Sequence, residues 1–465
     1  MNNAIILSAG KGSRMKSELP KGAFRVLYRP MVVYSVVALR EAGFDKINVV
    51  VGHKKEIIED ILQGFNCVFS EQKVLNGTAK AVESAKENLE NEDGNTVILP
   101  VDMPLITKNL LQELSLFHEQ SGNDLTVLSS IVDNPYSYGR IVRDKYGNFT
   151  AIKEELEASE EEKKIKEVNS GVYMVNNKLL FKALAKVKND NKKGEYYLTD
   201  IVSILKKEKY KVGSFVYKEA DEITGVNDLK TLAHAETILR RRINEDLMDQ
   251  GIYIVNPDTV TIGPDVIIEH DVTILPNTYI YGLSKIGQGS LIGPNSELIN
   301  AVIHKNASVA HSIVRDSEVM DNAIVGPFAH IRNHTVVGEN SLVGNYVEVK
   351  NTVIDENTKA AHLAYIGDAT IGKNVNFGCG CVTVNYDGKK KWKTKIGDDA
   401  FIGASSNLIA PIEIERGAII AAGSTISKNV PEGAMAIARP TQLNKENYAS
   451  LIKEKAETRD KNKEY

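Results

Sequence analysis

A glycine-rich turn followed by two cations is the first part of the chain equipped for chemistry. It occupies Ser8–Met15 (SAGKGSRM), directly after an apolar run, and Lys21 follows shortly afterwards. Backbone N–H groups in such a turn can cradle phosphate oxygens, and Arg14 and Lys21 add positive charge for a polyanion. The Gly-x4-Gly-Lys-Ser/Thr spacing of a P-loop is absent, and Met15 occupies the third glycine position of a dinucleotide fingerprint. The turn therefore predicts a phosphate-binding site of another class.

The elements around this turn predict an α/β domain with a Rossmann-like mixed sheet over residues 1–227. Apolar runs that read as buried strands alternate with helical patterns, beginning with Ala4–Leu7, Met31–Ala42 and Ile47–Val51. This βαβ rhythm is typical of a mostly parallel sheet with helices on both faces. Asp102 follows another strand-like run, and ligands bind at the carboxyl ends of strands in open α/β sheets. Taken alone, however, Asp102 ahead of Pro104 fits a helix N-cap better.

A different period begins near Val260 and continues to about Ser427. Small aliphatic residues recur at every sixth position, and glycine often follows them, as in Ile402-Gly403. A period of six fits neither a helix nor a single strand, but it is the hexapeptide period of a parallel β-helix. Each unit supplies a short strand and a turn, with the aliphatic residue in a narrow core. The pattern therefore predicts a β-helix domain with a C-terminal tail over residues 251–465.

Residues 228–250 connect the two patterns. Leu232, Leu239 and Ile243 belong to an apolar stripe at helical spacing, which predicts a connecting helix. The six-residue period is interrupted at 385–393, where we expect an extruded loop, since insertions in repeat proteins commonly carry the binding surface. Residues 453–465 are nearly all charged or polar and predict a helix or a frayed tail.

The composition excludes several classes of function. A length of 465 residues suggests roughly three domains, and the net charge of −4 offers no basic surface for nucleic acid. No apolar run is long enough for a transmembrane helix, and the first residues lack the pattern of a signal peptide. The cysteines, Cys67, Cys379 and Cys381, predict neither a disulfide framework nor a zinc site. We therefore expect a cytoplasmic protein that binds neither membranes nor nucleic acid.

The glycine-rich segment resembles the L-x2-G-x-G-x-R-M-x5-P-K signature of sugar-1-phosphate nucleotidyltransferases. Further segments follow in the order of that family: Gln72, 75–79 (LNGTA), 138–141 (YGRI), Glu154, 167–171 (EVNSG), 194–200 (GEYYLTD) and 225–227 (GVN). The resemblance implies that nucleotide and sugar are held by Leu7, Gly10, Gly12, Lys21, Gln72, Gly77, Thr78, Gly139, Glu154, Asn169, Thr199 and Asn227. It also implies that Arg14 and Lys21 neutralise the leaving pyrophosphate. Asp102 and Asn227 would ligate Mg²⁺, which prefers oxygen ligands.

The six-residue repeat resembles the left-handed β-helix of hexapeptide acyltransferases, whose usual acyl donor is a CoA thioester. Residues 359–368 (KAAHLAYIGD) look like the acetyltransferase segment, which makes His362 the base that removes a proton from the attacking sugar amine. An unperturbed imidazole, with a pKa of about 6.5, suits that task at neutral pH. The same resemblance implies that the acceptor sugar is bound by Arg332, Lys350, Tyr365, Asn376 and Lys391, and acetyl-CoA by Asn385, Tyr386, Ala404, Ala422 and Arg439.

Together these segments, over about residues 3–445, are similar to a bacterial family of bifunctional enzymes. Its members join N-acetylglucosamine-1-phosphate uridylyltransferase and glucosamine-1-phosphate acetyltransferase activities in one chain. The resemblance implies UTP, glucosamine-1-phosphate and acetyl-CoA as substrates, Mg²⁺ as cofactor and a homotrimer as the assembly. The product, UDP-N-acetylglucosamine, would feed bacterial cell-envelope synthesis.

Val101 and the stretch 22–25 depart from the nucleotidyltransferase pattern, and these departures leave alternative functions open. Val101 stands where that family usually has glycine before the metal-binding aspartate, and 22–25 (GAFR) replaces a usual aliphatic pair and histidine. Both departures concern the choice of substrate more than the type of reaction. One alternative is therefore a nucleotidyltransferase for another base or sugar, with a regulatory or structural β-helix. A second is a catalytically silent structural subunit, against which the retention of Arg14, Lys21, Asp102, Asn227 and His362 argues.

Overall fold

A computed structural model describes residues 2–461, which form two compact units. The first unit takes in the chain up to Gln250 together with Pro257–Val266 and Ile280–Gly282. The second comprises Gly251–Asn256, Ile267–Tyr279 and the chain from Leu283 onward. The last part of the predicted polar tail, after Lys461, lies outside the described residues. Within residues 2–461, no helix combines the length and apolar character needed to cross a membrane.

The first unit is an α/β fold. Its strands are β1 (Asn2–Ser8), β2 (Arg25–Val26), β3 (Arg29–Pro30), β4 (Lys46–Val51), β5 (Val68–Glu71), β6 (Asn95–Pro100), β7 (Leu125–Ile131), β8 (Gly139–Arg143), β9 (Phe149–Lys153), β10 (Glu167–Asn176) and β11 (Val212–Tyr217). Its helices are α1 (Met31–Glu41), α2 (Lys55–Ile61), α3 (Thr78–Glu83), α4 (Lys86–Leu89), α5 (Lys108–Ser121), α6 (Asn177–Leu184), α7 (Asp200–Lys207) and α8 (Leu229–Asp249). Short 3-10 turns lie at Ser13–Met15, Lys21–Ala23, Glu162–Lys164 and Ala220–Ile223.

The main sheet has the order β11-β7-β10-β6-β1-β4-β5. Strands β1, β4, β5 and β6 run parallel to their neighbours in the β6-β1-β4-β5 half, whereas β10 is antiparallel to both β6 and β7. The hairpin β8–β9 extends from β10. The predicted mixed α/β sheet is therefore confirmed, and β10 is the strand that makes it mixed.

Successive residues of the central strands bury opposite faces of this sheet, as the two-residue period of a strand requires. Ile6 and Val49 belong to a core cluster that includes α1 and α5. Ile5 and Val50 belong to a second cluster that includes α3, α6 and α7. Because both faces are covered by helices, the strands read as continuous apolar runs.

Side-chain caps mark the starts of α5, α6 and α8, and Asn176 caps α6 by accepting a hydrogen bond of 3.3 Å from the backbone N–H of Leu179. Thr107 precedes α5 and its hydroxyl accepts a hydrogen bond of 3.2 Å from the backbone N–H of Leu110. Asp228 precedes α8, where its carboxylate accepts from the backbone N–H of Thr231 at 2.8 Å, and the Thr231 hydroxyl is bonded back to the backbone N–H of Asp228. Such reciprocal capping satisfies N–H groups that a helix leaves unpaired. The helix predicted for 228–250 therefore begins with a capped first turn.

Short strands dominate the chain after α8. In chain order, β12 to β39 are Tyr253–Ile254, Thr261–Ile262, Ile267–Ile268, Thr273–Ile274, Tyr279–Tyr281, Lys285–Ile286, Leu291–Ile292, Glu297–Ile299, Val302–Ile303, Ser308–Val309, Ile313–Arg315, Glu318–Val319, Ile324–Val325, His330–Arg332, Val336–Val337, Leu342–Lys350, Val353–Ile354, Lys359–Gly367, Ala369–Ile371, Asn376–Phe377, Val382–Val384, Thr394–Ile396, Phe401–Ile402, Asn407–Ile409, Ile412–Ile414, Ile419–Ile420, Thr425–Ile426 and Met435–Ala436. A final helix, α9, spans Tyr448–Lys461.

In the second unit these strands stack in parallel, one coil above the next. One face has the order β14-β17-β20-β23-β26-β28-β30-β33-β36. Its buried aliphatic residues pair in register through the coils: Ile268, Ile286, Ile303, Val319, Val337, Ile354, Ile371, Ile396 and Ile414. The predicted parallel β-helix is confirmed, and the parallel hexapeptide coils are consistent with the left-handed form. The nine-residue strands β27 and β29 run from one face to the next and lie side by side.

Candidate active sites

The first candidate site lies at the point of the main sheet where the order of the strands reverses. Strand β1 pairs with β4 on one side and with β6 on the other, and ligands of open α/β sheets bind at the carboxyl ends of strands at such a point. A cavity of about 560 Å³ opens there. Residues predicted to hold nucleotide and sugar line it, namely Leu7, Gly10, Lys21, Gln72, Gly77, Thr78, Glu154, Asn169 and Thr199, and so does the predicted metal ligand Asp102.

Four predicted polar residues meet beside this cavity, and two of them, Lys21 and Asp102, line it. The ammonium group of Lys21 forms an ion pair with Asp102 and donates a hydrogen bond of 2.9 Å to Oδ1 of Asn227. Arg14, which lies in the 3-10 turn after Gly12, donates to the same Oδ1 at 2.7 Å. Asp102 and Asn227 are far apart in the chain, and the fold brings them together because Val226 donates its N–H to the carbonyl of Asp102 at 2.7 Å.

The same cluster provides a test of the predicted magnesium site. Oxygens of Asp102 and Asn227 both approach one cation, the Lys21 ammonium, so they converge on a single point. One carboxylate and one carboxamide oxygen suit Mg²⁺, which is usually bound by one or two protein oxygens together with substrate phosphates. The residues present therefore fit the metal that the resemblance implies.

One wall of the cavity is built by the segment around Gly77. Gln72 donates a hydrogen bond of 3.2 Å from Nε2 to the carbonyl of Gly77, and the Thr78 hydroxyl accepts one of 3.0 Å from the N–H of Leu198. A side chain on Gly77 would collide with the backbone of Tyr196, at 2.5 Å from its nitrogen, and Gly77 also has a φ of +126°. This position consequently requires glycine, and the wall is fixed by backbone contacts.

The opposite wall carries buried polar groups. The Thr199 hydroxyl donates to Oε1 of Glu154 at 3.3 Å, and burial raises the pKa of the Glu154 carboxyl. Nδ2 of Asn169 donates to the hydroxyl of Tyr173 at 2.7 Å, and its Oδ1 accepts from the N–H of Gly171 at 3.0 Å. These contacts orient the Asn169 amide. Gly139 lies beside both residues, because a Cβ on it would be 3.6 Å from Asn169 and 3.7 Å from Glu154.

Several residues that line this cavity were not predicted from the sequence. They include Ser137, Leu156, Tyr173, Lys193 and Tyr197. Tyr173 carries a usable signal, because residues 169, 171 and 173 of β10 share one face under strand alternation. For the others no periodic signal exists, since they lie in turns and loops whose direction only the folded chain determines.

The second candidate site is centred on a corner of the β-helix in the second unit. His362 is exposed at this corner in β29. The corner is continued coil by coil through backbone hydrogen bonds from Gly380 to Leu363, Ser405 to Cys379 and Gly423 to Ala404, of 2.7 to 2.8 Å. The predicted acetyl-CoA residues Ala404 and Ala422 lie in these successive corners, and Nη1 of Arg439 donates to the carbonyl of Ala422 at 2.7 Å.

A cluster of cations lies on the adjoining ladder. Arg332 pairs in register with Lys350, and Lys350 with Gly367. The proximity of the Lys391 ammonium, together with desolvation, lowers the pKa of the Lys350 ammonium. Arg332 also forms an ion pair with Glu348, with 2.6 Å between Nη2 and Oε1. Two lysines held this close favour an anionic ligand between them.

The other predicted residues lie on two neighbouring ladders of paired strands in the β-helix. Tyr365 accepts a hydrogen bond of 3.3 Å from Nδ2 of Asn385, which is buried and also donates to Asp368 at 2.5 Å. Asn385, predicted for acetyl-CoA, thus lies on the side of Lys350 and Tyr365. Asn376 pairs with Lys359 on the ladder across the His362 corner, and Tyr386 is exposed on the extruded loop.

Comparison with known proteins follows this division of the chain. Residues 3–233 match the family model for nucleotidyl transferases, and 316–351 and 393–428 match the model for the bacterial transferase hexapeptide. The Bifunctional protein GlmU of Acholeplasma laidlawii (strain PG-8A) is 47% identical over 452 residues, which cover 97% of this chain and 98% of that protein. A protein of the same name from Caldanaerobacter subterraneus subsp. tengcongensis is 49% identical over 445 residues, covering 96% and 97%. Both likenesses extend through the two units described above.

Proposed function

The chain belongs to the GlmU family of bifunctional proteins, and from that premise we propose that it makes UDP-N-acetylglucosamine in two steps. The β-helix domain transfers an acetyl group from acetyl-CoA to glucosamine-1-phosphate. The α/β domain then transfers UMP from UTP to the resulting N-acetylglucosamine-1-phosphate and releases pyrophosphate. The division into residues 1–227, the connecting segment 228–250 and residues 251–465 is part of this proposal.

The observation that carries the uridylyl half is the convergence of Arg14, Lys21, Asp102 and Asn227 at the end of β1. Two anions, a sugar phosphate and a nucleoside triphosphate, must approach each other in this reaction, so fixed cations lower the barrier. Arg14 and Lys21 bind the triphosphate and stabilise the pyrophosphate as it leaves. Asp102 and Asn227 would hold Mg²⁺, which supplies further charge neutralisation at the phosphates when bound.

Sugar binding falls to the wall that contains Gly139, Glu154, Asn169 and Thr199. The oriented amide of Asn169 and the half-buried Glu154 carboxyl offer directional hydrogen bonds to hydroxyl or amide groups of a sugar. The opposite wall, with Gln72, Gly77 and Thr78, is left for the base and ribose of UTP.

The acetyl half rests on His362, which is exposed at its corner of the β-helix, and on the Lys350 and Lys391 pair of the adjoining ladder. The amine nitrogen of glucosamine-1-phosphate attacks the thioester carbonyl, and the carbon–sulfur bond breaks. His362 takes the proton that the amine loses, and the CoA thiolate leaves and is protonated. Lys350, Lys391 and Arg332 bind the sugar phosphate, and Tyr365 and Asn376 orient the sugar. The corners with Ala404, Ala422 and Arg439 take acetyl-CoA, together with Asn385 and Tyr386 of the extruded loop.

A homotrimer is the assembly we propose, and a row of exposed apolar residues supports it. Phe328, Tyr346 and Leu363 occupy successive corners of the β-helix next to His362 and are 53%, 63% and 58% exposed. The rings of Phe328 and Tyr346 stack at 5.5 Å. A contiguous apolar strip of this kind usually marks a protein–protein contact. Tyr346→Lys should reduce the mass measured by analytical ultracentrifugation, while an unchanged mass would remove this support.

The experiment that tests the proposal measures pyrophosphate release from UTP and N-acetylglucosamine-1-phosphate with Mg²⁺, and CoA thiol release from acetyl-CoA and glucosamine-1-phosphate. Both should proceed with the purified chain. Release with another nucleoside triphosphate or sugar phosphate instead would favour the alternative of different substrate preference. A cytoplasmic location completes the proposal, and the thiols of Cys67, Cys379 and Cys381, which are free in the structure, agree with a reducing compartment.

A further inference from the structure

We infer that Arg140 is a positioning residue that sets the sugar-binding wall of the α/β domain. It does so without touching substrate, by joining two segments of that wall through its buried guanidinium group. The inference deepens the proposed uridylyl transfer and rests on it.

The side chain of Arg140 is unusually enclosed for an arginine, with 2% of its surface exposed. Its Nη2 pairs with Oε2 of Glu155 at 2.7 Å, its Nε donates to the carbonyl of Lys163 at 3.3 Å, and its Nη1 donates to the carbonyl of Tyr138. One planar group therefore ties β8 to two segments that follow β9. A buried charge is tolerated when it is paired and hydrogen-bonded in this way.

Glu155, the partner carboxylate, extends this connection to the cavity. Its Oε2 also accepts a hydrogen bond of 3.1 Å from the backbone N–H of Ser137. Ser137 and the segment Glu154–Leu156 both line the cavity. The Arg140–Glu155 pair consequently holds the two edges of the proposed sugar wall at a fixed separation, with Gly139 and Glu154 facing each other between them.

The geometry explains why arginine is needed at this position. Its guanidinium carries five N–H donors in a rigid plane, so it can serve a carboxylate and two carbonyls at once. A lysine has a single donor atom and would reach fewer of these acceptors. Loss of Arg140 leaves Glu155 as a half-buried charge without its cation, and the Glu154–Leu156 segment is then free to move relative to Ser137.

Strand β8 supplies a matched control in Arg143. Its guanidinium pairs with Glu167 at 2.6 and 2.7 Å and donates to Ser214 at 2.8 Å. Here too one guanidinium binds a carboxylate and a further acceptor, although Arg143 is 30% exposed where Arg140 is 2% exposed. Arg143 and Glu167 lie outside the set of residues that line the cavity. A general loss of stability in β8 would appear on substitution of either Arg140 or Arg143. A displaced sugar wall would appear on substitution of Arg140 alone.

The test compares Arg140→Met, Arg140→Lys, Glu155→Gln and Arg143→Met in the full chain. Steady-state pyrophosphate release is measured against N-acetylglucosamine-1-phosphate at saturating UTP, and against UTP at saturating sugar phosphate. Arg140→Met should raise the KM for the sugar phosphate about 10- to 100-fold, as misplacement of a binding group does, and leave the KM for UTP nearly unchanged. Arg140→Lys and Glu155→Gln should show smaller increases in the same direction, and Arg143→Met none.

Acetyl transfer by the same preparations reports whether the rest of the chain is folded. If Arg140→Met fails to fold, the lysine and glutamine variants carry the same comparison. Equal increases in both KM values, or an Arg143→Met defect as large as that of Arg140→Met, would overturn the inference and leave the proposed function intact. Absence of turnover in the unsubstituted enzyme would instead overturn the proposed function, and the inference with it.

Discussion

Val101 fills the space that a side chain at position 22 would need. A Cβ on Gly22 would lie 2.9 Å from Cγ2 of Val101, 2.9 Å from Oγ of Ser8 and 3.2 Å from Cδ1 of Ile58. Val101 is one departure of the chain from the nucleotidyltransferase pattern, and Gly22 is the first residue of the other, 22–25. The two departures therefore meet in one packing contact, where Val101 together with Ser8 leaves no room for a side chain at position 22. Val101 is 4% exposed and also forms part of the cavity wall.

The first prediction tests this dependence. Gly22→Val should destabilise the protein by about 1–3 kcal/mol because the added methyl groups overpack the contact with Val101. Adding Val101→Gly should restore part of that loss, with a coupling free energy of about 0.5–3 kcal/mol. Unfolding in urea measures Gly22→Val, Val101→Gly and the double variant. Gly10→Ala is a suitable stability control, since a Cβ on Gly10 meets no atom within 4 Å. Additive effects would show that the two positions are independent.

The second prediction concerns Asp102. Asp102→Asn keeps the size of the side chain but removes the charge that pairs with Lys21 and would help bind Mg²⁺. Pyrophosphate release should fall by at least about 10²-fold, as losses of electrostatic stabilisation in active sites do. CoA thiol release by the same preparation should stay within error. A parallel fall in both activities would contradict the two-site arrangement.

The third prediction concerns His362. His362→Ala should slow CoA thiol release by about 10²- to 10⁴-fold, the usual contribution of a general base, and leave pyrophosphate release unchanged. His270→Ala is the matched control, because His270 is an exposed histidine elsewhere on the β-helix whose ring is bonded to the neighbouring Asp271. Normal thiol release in the His362 variant would remove this residue from the mechanism.

The fourth prediction is a pH dependence of stability at Glu154. Burial raises the pKa of this carboxyl above its unfolded value, so the folded state holds its proton more tightly than the unfolded state does. The resulting stability is present below the unfolded pKa, about 4.3, and is lost as pH rises through the raised folded pKa. Glu154→Gln removes this loss. Its free energy of unfolding should exceed that of the parent chain at neutral pH, and the difference should shrink as pH approaches about 4.3. A difference independent of pH would refute the assignment.

The fifth prediction concerns the two neighbouring lysines of the acetyl site. The proximity of Lys391 is the largest cause of the lowered pKa of Lys350, so Lys391→Met should raise that pKa towards its ordinary value. NMR titration of isotope-labelled lysine side chains measures the change directly. The KM for glucosamine-1-phosphate should rise in the same variant because one phosphate-binding cation is lost. Lys395→Met, at an exposed position on another face, should alter neither quantity.

Much of the fold was predictable because it follows from the periodic spacing of apolar residues along short segments. The six-residue recurrence of residues such as Ile286, Ile402 and Ile414 follows directly from stacked coils that share one core, so the spacing alone was enough to recognise the β-helix. The alternation of apolar runs with helical patterns likewise predicted the α/β sheet. The antiparallel strand β10 was not predicted, because strand direction depends on pairing partners and leaves no periodic signal in the strand itself.

The candidate sites were predictable to the extent that they lie in continuous motifs. Arg14, Lys21 and His362 stand within such segments, and the family resemblance named their counterparts further along the chain. Lys193 was missed because it lies in a turn without a periodic signal. Tyr173 was missed although strand alternation places it on the same face as Asn169, and Tyr197 lies inside the 194–200 segment but was given no role. Asn385 was expected beside acetyl-CoA, yet its amide contacts Tyr365 and Asp368; its binding role stays a prediction.

The sequence by itself determined the two architectures, the family and the residue types available for phosphate and acyl chemistry, because each depends on local pattern and on the identity of short segments. Only the tertiary structure decided that Lys21 bridges Asp102 and Asn227, that Gly22 accommodates Val101 and that Arg140 is buried between Glu155 and the carbonyls of Tyr138 and Lys163. Each of these contacts except the one to Tyr138 joins residues well separated along the chain. Such contacts depend on strand register and side-chain direction, which are set when the sheet packs and not by any one segment.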